Sequence, residues 1–147
     1  MWKYLVGMMV IFLADVGLVG AAPTIIEFTQ TGCQFIEPEN QDYGYKPKNS
    51  SDCKHINAST QEKRLAVSQV RRLQAGDYIF RVHNRDVPYD LGFWLRGQGF
   101  RRLTLPSVSG GGMGQGESKD YSIHLTAGSY YYSCPLNPTP SYTLIVK

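Results

Sequence analysis

Residues 130–147 read YYYSCPLNPTPSYTLIVK, and three parts of this stretch decide the fold. Tyr130, Tyr131 and Tyr132 form an aromatic run that favours an extended strand. Cys134 ends it and opens a loop stiffened by Pro135, Pro138 and Pro140, each of which fixes φ and removes a donor. Tyr142 to Val146 then alternate into a last strand. With a side-chain period of two, Tyr130, Tyr132 and Cys134 share one face of the first strand. The chain therefore places a cysteine at the end of one strand, facing the interior, beside a short rigid loop.

Upstream of this stretch the pattern is again β. YIFRVHN puts Tyr78, Phe80 and Val82 on one face, and KDYSIHL does the same with Tyr121, Ile123 and Leu125. VSQVRRL, YDLGFWLRG and FRRLTLPSV read as further strands, and SGGGMGQGE reads as a glycine-rich hairpin connection. TIIEFTQ, from Thr24, reads as the first strand. Short strands with turn signals between them, and no sustained helical period, predict an all-β, antiparallel Greek-key sandwich. The polar segment from Thr31 to about Gln61 has no period and reads as a long loop with at most one helical turn. Cys33 and Cys53 flank its core and are the natural disulfide, whose closure is worth about 3 kcal/mol. Spacing alone leaves a pairing of Cys134 with either of them open. Unpaired, Cys134 would be a buried thiol, an intermolecular link or a metal ligand.

The 147-residue chain opens with a short basic start at Lys3, an apolar run interrupted by Asp15, and small residues at Val19 and Ala21. This reads as a signal peptide over 1–21 with a single domain over 22–147, and so as a secreted or periplasmic protein without a membrane span in the mature chain. The rival reading is a retained anchor. A net charge of +3 without a long basic tract does not imply a nucleic-acid partner, and none is expected. Asn49 and Asn57 stand in glycosylation sequons.

The segment AGSYYYSC, ending at Cys134, is similar to the G-x-Y-x-F-x-C run that leads to the copper cysteine in cupredoxins of the plastocyanin kind. NRDVPYD, over Asn84–Asp90, resembles the segment that carries the first histidine ligand in the same family. The resemblance runs from about Val67 to Lys147 and implies a cupredoxin-like fold. It places the first histidine position at Tyr89, the second at Asn137 and the axial methionine at Tyr142. Type 1 copper needs a thiolate and two imidazoles, and only Cys134 matches. The expectation is a cupredoxin-like domain without a type 1 site and without a cofactor, its pole filled by Tyr89, Asn137 and Tyr142. The alternative is copper or iron bound at an atypical site around Cys134, with help from His55, Glu37 or Glu39 on the long loop, in electron transfer or metal handling.

No hydrolase elbow, zinc pair or nucleophile–base pair is present, so an enzyme is not expected. His83 and His124 oppose the apolar faces of their strands and read as surface histidines. The leading functional expectation is a binding or interaction module for a protein partner. Its contact surface would include Trp94, Arg96, Phe100, Arg101 and Arg102, because Trp, Phe and Arg dominate interface energetics.

Overall fold

The computed structural model describes residues 20–147; the segment read as a signal peptide lies, except for its last two residues, outside them. The described chain is a two-layer β-sandwich. Strands β1 (Thr24–Thr31), β2 (Gln34–Phe35), β4 (Gly76–Asn84) and β7 (Ser118–Leu125) form one sheet in the order β2-β1-β4-β7. Strands β3 (Arg71–Leu73), β5 (Leu91–Gly97), β6 (Val108–Met113), β8 (Gly128–Ser133) and β9 (Tyr142–Val146) form the other, in the order β3-β9-β8-β5-β6.

The alternation read from the sequence positions the core. Phe28 and Phe80 from the first sheet meet Phe93 and Tyr132 from the second, all essentially without solvent exposure. Phe28 stacks on Tyr132 at 4.6 Å, and Phe35 stands edge-on to both Tyr132 and Tyr142. Such pairs add about 0.5–1.5 kcal/mol each beyond the area they bury.

Four expectations need correction. Both sheets are mixed rather than wholly antiparallel, because β1 runs parallel to β4 and β3 parallel to β9. The glycine-rich connection is largely strand β6, and FRRLTLPSV is not a strand at its start: Gly99–Leu103 form a short 3-10 helix. The long polar segment is not a loop. After a single helical turn, α1 (Ile36–Glu39), it contains the 18-residue helix α2 (Ser50–Val67).

Helix α2 escaped the sequence reading because its inward stripe is polar. Its buried residues are Cys53, Asn57 and Arg64, which fall on one face at 3.6 residues per turn. A search for apolar periodicity does not register such a face. The start is well marked: Asn49 caps the helix by accepting from the backbone N–H groups of Ser51 and Asp52. The predicted disulfide is present, joining Cys33 to Cys53 and fastening α2 to the sandwich. Cys134 remains a free, buried thiol. No helix among the described residues is long and apolar enough to cross a membrane.

Candidate functional site at the Cys134 pole

Cys134 follows β8 directly and faces inward, 1% exposed. The loop after it closes on itself. The Cys134 backbone N–H donates to Thr139 Oγ1 at 3.0 Å, and the Thr139 N–H returns to the Cys134 carbonyl. Two backbone N–H groups aim at the sulfur, from Gly92 at 3.3 Å and from Asn137 at 3.2 Å. Burial pushes the Cys134 thiol above its ordinary pKa, and these N–H groups only partly oppose it. The thiol is thus held neutral and shielded, the setting of an inert cysteine rather than a nucleophile.

Gly92 has a specific steric reason to be glycine. A Cβ there would come within 2.5 Å of the Gly110 carbonyl oxygen, across the irregular pairing of β5 with β6. The same residue accepts a hydrogen bond from Gln30 Nε2 at 2.7 Å. Gln30 lies on the buried face of β1, in register with Phe28, a signal that was visible in TIIEFTQ but carries no family spacing.

Asn137 is the hub of the pole and is wholly buried. Its Oδ1 accepts from the Cys33 backbone N–H at 3.0 Å and from the Tyr89 hydroxyl at 3.2 Å. The Cys53 sulfur, which carries no hydrogen once oxidised, touches the same oxygen at 3.2 Å. The Nδ2 donates to the Thr31 carbonyl at 2.9 Å and reaches Gln30 Oε1 at 3.5 Å. One side chain therefore ties the loop after β8 to β1, to the disulfide and to Tyr89. Burial raises the Tyr89 phenol to about 12, with Cys134 and Asp52 adding to the effect. It remains a protonated donor at neutral pH.

Tyr142 does not join this group. Its hydroxyl donates to Glu39 Oε1 and accepts from the Phe35 N–H at 3.3 Å. Burial and the neighbouring carboxylate hold this phenol well above its ordinary value. It belongs to a second network, in which Arg64 makes a two-pronged ion pair with Glu39 at 2.6 and 2.8 Å. Arg64 also donates to Asn57 Oδ1 at 2.7 Å and to the Cys33 carbonyl at 3.1 Å. Arg64 and Glu39 are both almost fully buried. The plug expected from aromatic residues is thus a polar one, and Tyr142 serves a different part of the interior.

The other proposed donors are also accounted for. Both carboxylate oxygens of Glu37 accept from the Thr29 N–H, Glu39 is paired with Arg64, and His55 is exposed on α2. Among the described residues no group of three or more His, Cys, Asp or Glu side chains is arranged to hold a metal ion. His83 meets Ser118 and His124 meets Asp77 at the surface. Both sequon asparagines have structural roles: Asn57 is 5% exposed and donates to the Pro138 carbonyl, while Asn49 is exposed and caps α2.

The residues read as a contact surface lie on the outer face and far end of the second sheet. The Arg96 guanidinium stacks on Trp94 at 4.0 Å and is fixed by Ser133 and Ser141 hydroxyls at 3.0 and 3.1 Å. Phe100, Arg101 and Arg102 stand on the 3-10 helix, at the opposite end of β5 from Gly92.

No family model and no curated protein matches this chain. Among solved structures it is similar to auracyanin B, a cupredoxin, with a TM-score of 0.54 and 12% identity, covering 88% of this chain and 93% of that one. The likeness is one of fold: the chain is a cupredoxin-like β-sandwich.

Proposed function

We propose that this protein is an exported cupredoxin-type binding module that works without a type 1 copper site and without catalysis. The observation that carries this reading is Asn137. At the position where the family resemblance expects a second imidazole, a buried amide has both its oxygen and its nitrogen engaged by this chain's own groups. A ligand at that place would have to break bonds that hold the pole to β1. The neutral, shielded state of Cys134 and the protonated phenol of Tyr89 support the same reading. The module would meet its partner through the face bearing Trp94, Arg96, Phe100, Arg101 and Arg102.

Titration of the protein with copper(II) or iron, followed by desalting, tests this. The expected result is no thiolate-to-metal charge-transfer absorption and no retained metal. A retained, coloured ion lost on Cys134→Ser would overturn the proposal in favour of an atypical metal centre. In the same terms, Cys134→Ala is expected to leave a folded domain and to reduce stability by about 1–3 kcal/mol, for the lost buried atom and for the weak sulfur acceptor that the Gly92 and Asn137 N–H groups lose. Chemical denaturation checks it, and global unfolding would contradict an inert packing role.

A further inference from the structure

The two most exposed large apolar side chains in the described chain are Phe100, 94% exposed, and Leu103, 82% exposed. Both stand on the 3-10 helix Gly99–Leu103. A 3-10 helix has three residues per turn, so positions three apart eclipse. Phe100 and Leu103 therefore project from one face, with Arg101 and Arg102 between them along the chain. The mounting is firm. The Gln98 N–H donates to the Ser129 carbonyl at 2.9 Å, and the Thr104 and Leu105 N–H groups close onto the Arg101 carbonyl at 3.1 and 2.9 Å.

Beside Phe100 lies a shallow cleft bounded by Arg96, Gly97, Gly99, Arg102 and Tyr131. Among the described residues no ion pair engages Arg96, Arg101 or Arg102. Residues 94–109 contain these three arginines and no carboxylate. The surface thus joins a convex apolar tip to cations that lack a counter-charge. A convex tip suits a deformable partner, which needs no matching socket, and guanidinium forks match phosphate oxygens.

Resting on the reading of this chain as a binding module, we propose that its partner is an anionic lipid bilayer. Phe100 and Leu103 enter the boundary between headgroups and acyl chains, while Arg96, Arg101 and Arg102 hold lipid phosphates. This is the arrangement by which amphipathic surfaces dock without spanning.

The test places an environment-sensitive fluorophore on the exposed turn of the full chain through Thr104→Cys, with the same label at Lys54→Cys on α2 as a reference; Cys134 is too buried to compete. Vesicles of phosphatidylcholine mixed with phosphatidylglycerol should blue-shift and brighten the label at position 104 alone. Phosphatidylcholine vesicles should not, and rising salt should weaken the response. Phe100→Ala with Leu103→Ala should raise the lipid needed for half-saturation roughly tenfold or more. Arg101→Gln and Arg102→Gln should each raise it about fivefold at low salt. A silent label at position 104, an equal response at position 54, or binding unchanged in these variants overturns the proposal. A silent label would direct attention to a protein partner for the same face. Such a failure leaves the metal titration untouched, and a charge-transfer band there would leave the vesicle result standing.

Discussion

Arg64→Ala is expected to destabilise the domain by about 3–5 kcal/mol, because it removes one partner of a buried ion pair and leaves Glu39 uncompensated. Arg64 is 3% and Glu39 1% exposed at the side chain. The loss reaches further than the pair. The Cys33 carbonyl and the Asn57 amide oxygen each lose a donor, and the Tyr142 hydroxyl is left facing an unpaired carboxylate. Urea unfolding would read the change as a lower midpoint with an unaltered slope. Replacing Arg64 and Glu39 together by methionine should recover part of the loss, since it removes the orphaned charge. A single-variant loss below about 1 kcal/mol would mean that the pair contributes no more than a surface bridge.

Asn137→Ala should rank beside it. The substitution removes the side-chain acceptor of the Cys33 N–H and a donor to the Thr31 carbonyl at a buried site, at about 1–3 kcal/mol for each buried group. A total of roughly 2–6 kcal/mol is expected from those two groups. Asn137→His should be no milder, although it supplies an imidazole. A ring with one nitrogen on each side cannot accept from both Cys33 and Tyr89 while donating to Thr31. Denaturation measures the total, and amide hydrogen exchange at Cys33 locates it. Unchanged protection at that amide would contradict the hub assigned to Asn137. A copper-coloured Asn137→His protein of full stability would show instead that the pole accepts ligands freely.

These two residues act on the same place. Cys33 sits at φ 63°, in the left-handed region that a non-glycine residue adopts at a cost. Its N–H is held by Asn137 and its carbonyl by Arg64. The disulfide to Cys53 fixes its side chain. The turn is thus over-determined from three directions, which explains how it persists.

The strands were legible where side chains alternate, and the Cys134 address was legible because loop length and strand position are written locally. The interior faces of YIFRVHN and KDYSIHL are those expected: Phe80, Val82, Tyr121 and Leu125 are buried. Helix α2 was not legible. Its inward stripe of Cys53, Asn57 and Arg64 is recognised only by hydrogen-bond partners that lie far away in the chain, such as Glu39 and Pro138. The same applies at the pole. Spacing correctly grouped Cys134, Tyr89 and Asn137, but it added Tyr142, whose hydroxyl is claimed by Glu39 from the segment outside the family resemblance. Phe100 and the arginines were read from the sequence as a contact surface by residue type alone. The 3-10 geometry that aligns Phe100 with Leu103 became apparent only with the backbone.

The parallel pairings carry a consequence for how the chain reaches this state. Thr24 pairs with Tyr78, and Arg71 with Leu144, so neither contact forms from a local hairpin. Sequence-distant pairing must absorb loop-closure entropy before it is rewarded, and it slows folding. The segment between β1 and β4 contains α2, whose polar face offers little hydrophobic pull toward the sheet. Joining Cys33 to Cys53 shortens the free part of that excursion and ties the helix to the turn that follows β1. In an oxidising compartment the order of events then matters: bond formation first turns a slow search into the docking of a preassembled unit.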